Sequence, residues 1–197
     1  MTRIAAVLLA AGRASRFEAG GGAGSKLVAL WQGKPLVRHV AEAALAAGLD
    51  TVVVTGHARD DVAAALAGLD LRLVHNPAFA DGMAGSLRCG LEALAAETAG
   101  AFVLLGDMPR VSAALLATLA QAFAQAPART VAAIPVHAGA RGNPVLLGRE
   151  MFDAAMRLTG DQGARKLLAG AGVLEVEIAD PAIFADIDTP QALRDLP

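Results

Sequence analysis

The chain has 197 residues, with 17 Lys and Arg against 19 Asp and Glu, which gives a formal net charge of -2. This length accommodates one domain with a sizeable core, and the near-neutral charge argues against a nucleic-acid-binding protein, which needs a basic surface to neutralise phosphates. Hydrophobic residues make up 55% of the chain, but Ser112, Gln121 and Pro127 interrupt its longest uncharged stretch, so no membrane span is expected.

The first predicted element is a strand at residues 4–10, an apolar run of the kind that is buried on both faces of a sheet. The run is too short for the hydrophobic region of a signal peptide, and a glycine-rich loop follows it where a cleavage site would stand. A cytoplasmic location is therefore expected. The single cysteine, Cys89, fits a reducing compartment and excludes a disulfide framework within the chain.

Beyond this strand, short runs of Val, Ile and Leu alternate with Ala-rich helical patterns almost to the end of the chain. Further strands are predicted at residues 51–56, 71–75, 101–106, 130–137, 143–148 and 173–178. Helices are predicted at residues 35–47, 60–67, 82–97, 112–125, 150–158, 161–169 and 189–196. Gly48 is expected to end the first of these helices and Ser112 to cap the fourth.

This alternation predicts βαβ units and hence one α/β domain over residues 1–197, with a mostly parallel sheet between helices on both faces. In open sheets of this kind, ligands bind beyond the carboxyl ends of the strands. Functional residues are therefore expected in the loops that follow the strands.

The loop after the first strand has the sequence LLAAGRASRFEAGGGAGSKL and is the most informative segment. Its glycines allow backbone N–H groups to approach a ligand closely, and Arg13, Arg16 and Lys26 supply positive charge for phosphates. The segment matches neither the P-loop pattern nor G-x-G-x-x-G. On glycine content alone, a phosphate-binding loop and a flexible surface loop with solvated arginines are equally good interpretations.

Carboxylates are also found in two later segments of the chain. Asp107, in LGDMPRV, stands at the end of an apolar strand, where it could hold a magnesium ion or simply cap a turn. Asp186 and Asp188, in FADIDTPQAL, are two residues apart, so an extended backbone would point both to the same side. Capping of the helix that begins near Pro190 would explain one of these two aspartates but not both.

Three more segments place polar groups at turns and helix starts. In HNPAFADGMAGSLRCGLEAL, residues 82–86 would present backbone and hydroxyl donors at a helix N-terminus, which is also compatible with an ordinary helix start. RGNPVLLG and LTGDQGARKLL contribute Arg141, Asn143 and Arg165. Arginines suit an anionic substrate, although each of the two, taken singly, is better explained as a solvated surface residue.

These segments together resemble, in order along the chain, the nucleotidyltransferases that activate small phosphorylated compounds. LLAAGRASRF followed by Lys26 is similar to that family's L-A-A/G-G-x-S/G-x-R-M/F-G signature and its later lysine. The form with two alanines, Ala10 and Ala11, resembles the molybdenum cofactor cytidylyltransferases of the MobA-like NTP transferase family, whose guanylyl-transferring relatives usually read L-A-G-G. Glu18 departs from the pattern, because the family usually has glycine there, and the spacer before Lys26 is longer than usual.

The resemblance implies a Rossmann-like three-layer α/β/α nucleotidyltransferase fold and transfer of a cytidylyl group from CTP to the molybdenum cofactor, with release of pyrophosphate. It implies that Mg²⁺, or alternatively Mn²⁺, takes part, held by Asp107 with Asp186 or Asp188, and that Lys26, Arg16 and Asp107 are catalytic. Substrate-binding residues that it implies are Leu9, Ala10, Ala11, Gly12, Arg13, Asn76, Gly82, Ser86, Arg141, Asn143 and Arg165. The N-terminal half would bind the nucleotide and the C-terminal half the acceptor. A molybdenum hydroxylase or its maturation chaperone is the implied partner.

Two alternatives stay open. Within the same fold, the acceptor could be a sugar phosphate or methylerythritol phosphate, or the donor could be GTP. A protein of another class, a nucleotide-binding chaperone that hands on the cofactor without catalysis, would carry similar segments. Aromatic residues make up only 4% of the chain, with no Tyr, which predicts that base and pterin are held mainly by backbone and amide hydrogen bonds.

Overall fold

The computed structural model describes residues 3–22, 24–170 and 172–196; the two ends of the predicted domain, residues 1, 2 and 197, and residues 23 and 171 lie outside these ranges. The strands are β1 Ile4–Ala10, β2 Leu30–Trp31, β3 Lys34–Pro35, β4 Asp50–Thr55, β5 Arg72–His75, β6 Gly100–Leu105, β7 Ala132–His137, β8 Ala140–Arg141, β9 Val145–Gly148 and β10 Val173–Glu177. The α-helices are α1 Ser15–Ala19, α2 Leu36–Ala46, α3 Arg59–Ala65, α4 Met83–Glu92, α5 Ala113–Gln125, α6 Phe152–Met156 and α7 Pro190–Arg194. Short 3-10 helices lie at Lys26–Val28, Phe79–Asp81, Arg149–Met151, Ala164–Ala169 and Pro181–Phe184.

The main sheet has the strand order β10-β7-β9-β6-β1-β4-β5, with β8 paired to β7. Strand β1 pairs in parallel with β4 and β6, β4 with β5, and β7 with β10. Strand β9 is antiparallel to both β6 and β7. The predicted Rossmann-like fold with a mostly parallel sheet is therefore confirmed, and parallel β1 and β6 direct their carboxyl ends to the same edge.

Strand β1 is buried on both faces because its side chains alternate between two hydrophobic clusters. Leu8 belongs to the cluster that contains Val40 of α2 and Leu116 of α5. Val7 belongs to the cluster on the other face, which contains Leu87 of α4. Full burial of each such side chain contributes about 1.5–3 kcal/mol, so β1 fixes the position of the loop that follows it.

Predicted helix ends are confirmed where a specific cap forms. Ser112 Oγ accepts a hydrogen bond from the backbone N–H of Leu115 at 3.2 Å. Gly48 follows the end of α2 with φ +74°, a conformation that favours glycine. Thr189 caps α7 by accepting from the N–H of Ala192 at 3.1 Å, so neither Asp186 nor Asp188 makes this helix-capping bond.

Several predicted elements have different limits in the structure. The helix predicted at residues 82–97 is shorter, because Gly82 with φ +110° separates a 3-10 turn from α4 and α4 ends at Glu92. The helix predicted at residues 161–169 is a 3-10 helix over Ala164–Ala169, since Gly163 has an extended backbone. Helix α1 and the β2–β3 hairpin were not predicted. Within the described ranges, no helix combines the length and hydrophobicity needed to cross a membrane.

Candidate active site

A cavity of about 480 Å³ opens where the loop after β1 meets the carboxyl end of β6 and the C-terminal segment. Predicted site residues that line it are Leu9, Ala11, Gly12, Arg13, Arg16, Lys26, Gly82, Ser86, Asp107, Asp186 and Asp188. Met83, which lies within the predicted stretch 82–86, also lines it, and the lining residues that the sequence analysis missed are Leu27, Phe79, Ala80, Leu105, Gly106 and Asp161. Most residues predicted from the first loop and from the later aspartates thus lie at one site.

The loop after β1 is held in place by Phe17 of α1. Its ring is buried and packs with Leu36 and Ile187. The backbone of Gly22 lies directly against this ring, where a Cβ atom would overlap the ring carbons, so glycine is required there. Part of the glycine-rich stretch therefore folds over Phe17, and this anchor leaves Arg16, also on α1, at the cavity. Glu18, the departure from the family pattern, lies exposed on α1.

Lys26 lies between two carboxylates at the base of the cavity. Its Nζ is 2.6 Å from Oδ2 of Asp107 and 2.9 Å from Oδ1 of Asp188. The other oxygen of Asp188 is 2.7 Å from Nη1 of Arg16. Burial lowers the pKa of Lys26, but the two carboxylates outweigh this effect, and the pKa is raised overall. Lys26 therefore stays protonated at neutral pH.

The C-terminal segment reaches the site through a backbone hydrogen bond. The N–H of Ile187 donates to the carbonyl of Asp107 at 2.9 Å, which brings Asp186 and Asp188 to the end of β6. Partial burial of its carboxyl group has the largest effect on the pKa of Asp186 and raises it. A hydrogen bond from its own backbone N–H lowers the pKa, the charges of Asp188 and Asp107 raise it, and Lys26 lowers it, so that the pKa is raised overall. Three carboxylates thus concentrate negative charge at one side of the cavity.

The carboxylates fit a divalent cation whose coordination shell is completed by other ligands. In residues 3–22, 24–170 and 172–196, no group of three or more His, Cys, Asp or Glu side chains is arranged as a metal cage. Oδ1 of Asp107 is nevertheless buried and has no hydrogen-bond partner in the part of the chain described, and a buried polar atom is costly without one. Mg²⁺ typically takes one or two carboxylates and fills its shell with water and substrate phosphates. Asp107 with Asp186 or Asp188 provides such a set.

Asn76 lies behind the cavity wall and does not line it. Its side chain is 2% exposed, donates from Nδ2 to Oγ of Ser86 at 3.0 Å, and accepts from the N–H of Ala78 at 3.0 Å. Ser86 does line the cavity. Asn76 therefore contacts the site only through its hydrogen bond to the Ser86 hydroxyl, and a direct role in nucleotide binding stays a prediction.

Phe79 gives the cavity an aromatic side chain that the composition did not predict. The guanidinium group of Arg13 lies 5.6 Å from the centre of its ring, within range of a cation–π interaction. The ring of His57 lies tilted beside that of Phe79, with 5.9 Å between ring centres. The aromatic residue in the NPAF segment was the signal that could have identified it.

The remaining predicted residues lie outside the cavity lining. Ala10 is buried in β1. Arg141 donates to Oε1 of Glu175 at 2.7 Å and to the carbonyl of Leu168 at 3.1 Å, and Arg165 donates to the carbonyl of Arg141 at 2.9 Å. The backbone N–H of Asn143 donates to the carbonyl of Ile183 at 2.9 Å. The structure does not bring this group to the cavity, and its role towards an acceptor stays a prediction.

Residues 6–177 match the family model described as the MobA-like NTP transferase domain. A molybdenum cofactor guanylyltransferase from Pseudomonas paraeruginosa is 32% identical over 95% of this chain and 91% of its own length. A molybdenum cofactor cytidylyltransferase from Escherichia coli is 25% identical over 96% of this chain and 93% of its own length. The bifunctional protein GlmU from Sorangium cellulosum is 32% identical over 81% of this chain, but the chain spans only 34% of GlmU.

Solved structures share the fold over nearly the whole chain. Rv0371c from Mycobacterium tuberculosis H37Rv has a TM-score of 0.82 and 28% identity, over 99% of this chain and 98% of its own. A nucleotidyl transferase from Methanothermobacter thermautotroptrophicus has a TM-score of 0.83 and 28% identity, over 98% and 94% of the two chains. Rv0371c has also been solved in complex with manganese, with a TM-score of 0.79 and 26% identity over 99% and 98% of the chains. Manganese is thus present in the structure of one similar protein.

Proposed function

Since the chain belongs to the family of MobA-like NTP transferase domains and is a nucleotidyltransferase, we propose that it transfers a cytidylyl group from CTP to Mo-molybdopterin. The products are molybdopterin cytosine dinucleotide and pyrophosphate. The observation that carries nucleotidyl transfer is the contact of Lys26 with both Asp107 and Asp188 beside Arg16, because it joins phosphate-binding cations to metal-binding carboxylates. The choice of CTP is supported by Ala10 and Ala11, at the end of β1 and the start of the loop that follows it.

The reaction is an in-line displacement at phosphorus. An oxygen of the terminal phosphate of molybdopterin forms a bond to the α-phosphorus of CTP, and the bond from that phosphorus to the oxygen bridging to the β-phosphate breaks. A phosphate monoester is largely ionised near neutral pH, since its second pKa is about 6, so no protein group has to remove a proton from it. Positioning and neutralisation of charge are therefore the main tasks of the protein.

Lys26, Arg16 and Arg13 would neutralise the triphosphate and the leaving pyrophosphate, for which Lys26 and Arg16 must exchange their carboxylate partners for phosphate oxygens. Asp107 with Asp186 or Asp188 would hold a divalent cation, Mg²⁺ or Mn²⁺. When bound, such a cation neutralises charge on phosphate oxygens.

We assign the whole chain to one domain with two functional halves. The backbone of residues 9–12 would hold the base and triphosphate, with Gly82 and Ser86 as further donors and Asn76 orienting Ser86. The C-terminal half would bind the acceptor, with Arg141, Asn143 and Arg165 as acceptor-side residues outside the cavity. The protein would act in the cytoplasm and pass its product to a molybdenum hydroxylase or its maturation chaperone.

A second candidate is guanylyl transfer to the same acceptor. It is favoured by one observation: the guanylyltransferase relative shares 32% identity with this chain, whereas the cytidylyltransferase relative shares 25%. Separate incubations with CTP, GTP and ATP, each with molybdenum cofactor and Mg²⁺, decide between them. The proposal is supported if a dinucleotide, the cytosine dinucleotide, forms only in the incubation with CTP. The second candidate is established if a dinucleotide, the guanine dinucleotide, forms only in the incubation with GTP.

The variant Asp107→Asn distinguishes a nucleotidyltransferase from a protein that only binds and hands on the cofactor. This variant should lose turnover by about 10²–10³-fold, because it removes a carboxylate that the metal and Lys26 share. Equilibrium dialysis of the cofactor is the matched measurement. A wild-type protein that binds the cofactor and forms no dinucleotide with any nucleotide would contradict the proposal and favour a carrier.

A further inference from the structure

The start of α4 and the loop after α6 form one wall of the cavity. We name residues 157–163 the α6 loop. Gly82, Met83 and Asp161 line the cavity from the two sides of this contact. The N–H of Ala84 donates to the carbonyl of Gly160 at 3.0 Å. A Cβ atom on Gly82 would overlap Gly160 and would lie 2.7 Å from the backbone nitrogen of Asp161, so helix and loop meet backbone to backbone.

A second contact lies beside the first. A Cβ atom on Gly163 would be 2.8 Å from Sδ of Met83, so glycine at this position lets the loop approach the methionine side chain. Asp161 lies between these two contacts in the chain, at an exposed position on the cavity wall. Its position therefore depends on how closely the α6 loop is held to α4.

Arg88 provides the side-chain contact that holds the α6 loop to the helix. It is four residues beyond Ala84, so the two lie on the same face of α4. Its Nη1 donates to the carbonyl of Leu158 at 2.6 Å. A guanidinium group also suits this place electrostatically, because the carbonyl lies just beyond the carboxyl end of α6.

Helix α4 does not itself depend on Arg88 for its position. Leu87 and Leu91 are buried in the hydrophobic cluster that contains Val7 and Val54. Gly90 lies so close to Val7 that a Cβ atom would overlap its side chain. Loss of Arg88 is therefore expected to loosen the α6 loop while α4 stays in place, although Leu158 remains anchored in the same hydrophobic cluster.

We propose that Arg88 is a positioning residue for acceptor binding. It does not line the cavity, but it holds the α6 loop against α4 and so fixes Asp161, the cavity-lining residue that the C-terminal half contributes at this contact. The inference rests on the proposed function, in which the C-terminal half binds the acceptor. Because the nucleotide is held by the loop after β1 and by α4, the affinity for the acceptor should depend on Arg88 more than the affinity for the nucleotide.

The test compares Arg88→Met, Arg88→Lys and the control Arg72→Met. Arg72 is a matched control because it donates to the carbonyl of Ala93 at the other end of α4, outside the cavity lining. Arg88→Met should raise the acceptor KM about tenfold, as expected for loss of a charged hydrogen bond, with the nucleotide KM changed less than about twofold. Arg88→Lys should recover most of the loss, since an ammonium group can donate to the same carbonyl, and Arg72→Met should change neither KM.

Amide hydrogen exchange provides a readout that is independent of activity. In Arg88→Met, exchange should become faster in the α6 loop and at Ala84, whose N–H bonds to Gly160. Unchanged exchange at these amides, equal rises in both KM values, or the same effects in Arg72→Met would overturn the inference. A wild-type protein that does not use molybdenum cofactor overturns the proposed function instead, and hydrogen exchange then decides the role of Arg88 in holding the loop.

Discussion

At the scale of single residues, Lys26 connects the two chemical tasks of the site. Lys26 forms ion pairs with Asp107 and Asp188, and Arg16 pairs with the other oxygen of Asp188. The cations meant for phosphates and the carboxylates meant for a metal thus stabilise one another. A nucleotide offers its phosphates to the cations, and its metal offers a new partner to the carboxylates. If only one of the two bound, either the cations or the carboxylates would lose their present partners without gaining new ones.

Lys26→Met should lower kcat/KM by about 10²–10³-fold, the usual effect of removing one preorganised donor to a developing charge. Steady-state kinetics with CTP and molybdenum cofactor measures this change. Lys34→Met is the matched control, because Lys34 pairs with Glu42 outside the cavity lining. A Lys26→Met variant with the activity of the control would show that Lys26 does not stabilise the transferring phosphoryl group.

Asp186 gives a prediction about pH. In the folded chain its pKa is raised above the ordinary value of 3.8, which applies to the unfolded chain. Between the ordinary pKa and the raised pKa, the folded chain therefore binds a proton more tightly than the unfolded chain does. The free energy of unfolding therefore falls as pH rises through this interval. In metal-free buffer, Asp186→Asn should be more stable than the wild type at neutral pH, and the difference should disappear below the ordinary pKa.

Thermal unfolding in the presence of a chelator measures this difference. The series starts at about pH 3 and rises in steps of roughly half a unit, so that it spans the ordinary carboxyl pKa of about 4. Asp70→Asn is the control, since Asp70 is exposed and lies outside the cavity lining. A stabilisation by Asp186→Asn that is the same at acidic and at neutral pH would contradict the assigned cause.

At the scale of elements, the segment from β1 to α1 positions the phosphate-binding side chains. Gly22 lies against the ring of Phe17, and Phe17 packs with Ile187 from the segment that carries Asp186 and Asp188. The first loop and the C-terminal aspartates are thus held by one small hydrophobic cluster. A change in this cluster should affect stability and nucleotide affinity together.

Gly22→Ala should destabilise the fold by about 1–3 kcal/mol, because the new Cβ overlaps the Phe17 ring, and it should weaken nucleotide binding through displacement of α1. Urea unfolding and nucleotide titration measure the two effects. Gly170→Ala is the control, since among the described residues a Cβ there meets no atom within 4 Å apart from its chain neighbours, and no positive φ is involved. Equal stability of the two variants would contradict the anchoring role of Phe17.

The strands and helices also show which features of the fold could be predicted from the sequence. The strand before Asp107 was predicted because an apolar run ends there, and Ser112 was predicted as a cap because its hydroxyl meets free backbone N–H groups at a helix start. Helix α1 was not predicted, since five residues before a glycine-rich stretch carry no helical periodicity. The anchoring of Gly22 on Phe17 was beyond prediction for another reason: it depends on contacts with distant Leu36 and Ile187.

At the scale of the whole molecule, the net charge of -2 conceals a separation of charge at one place. Arg13, Arg16 and Lys26 come from the first loop, while the aspartates come from the end of β6 and from the C-terminal segment. Parallel strands bring these segments to one edge of the sheet, which the βαβ pattern predicted. The inward placement of Phe79 and Asp161 depends on close backbone packing around Gly56 and Gly82, which no periodicity reveals.

A competition reaction tests the proposed transfer of a cytidylyl group from CTP most directly. The protein is incubated with molybdenum cofactor, Mg²⁺ and equal concentrations of CTP, GTP and ATP, and the dinucleotide products are identified by mass while pyrophosphate is quantified. The proposed function predicts molybdopterin cytosine dinucleotide as the main product, with one pyrophosphate released for each dinucleotide. Formation of the guanine or adenine dinucleotide as the main product, or of no dinucleotide at all, would contradict it.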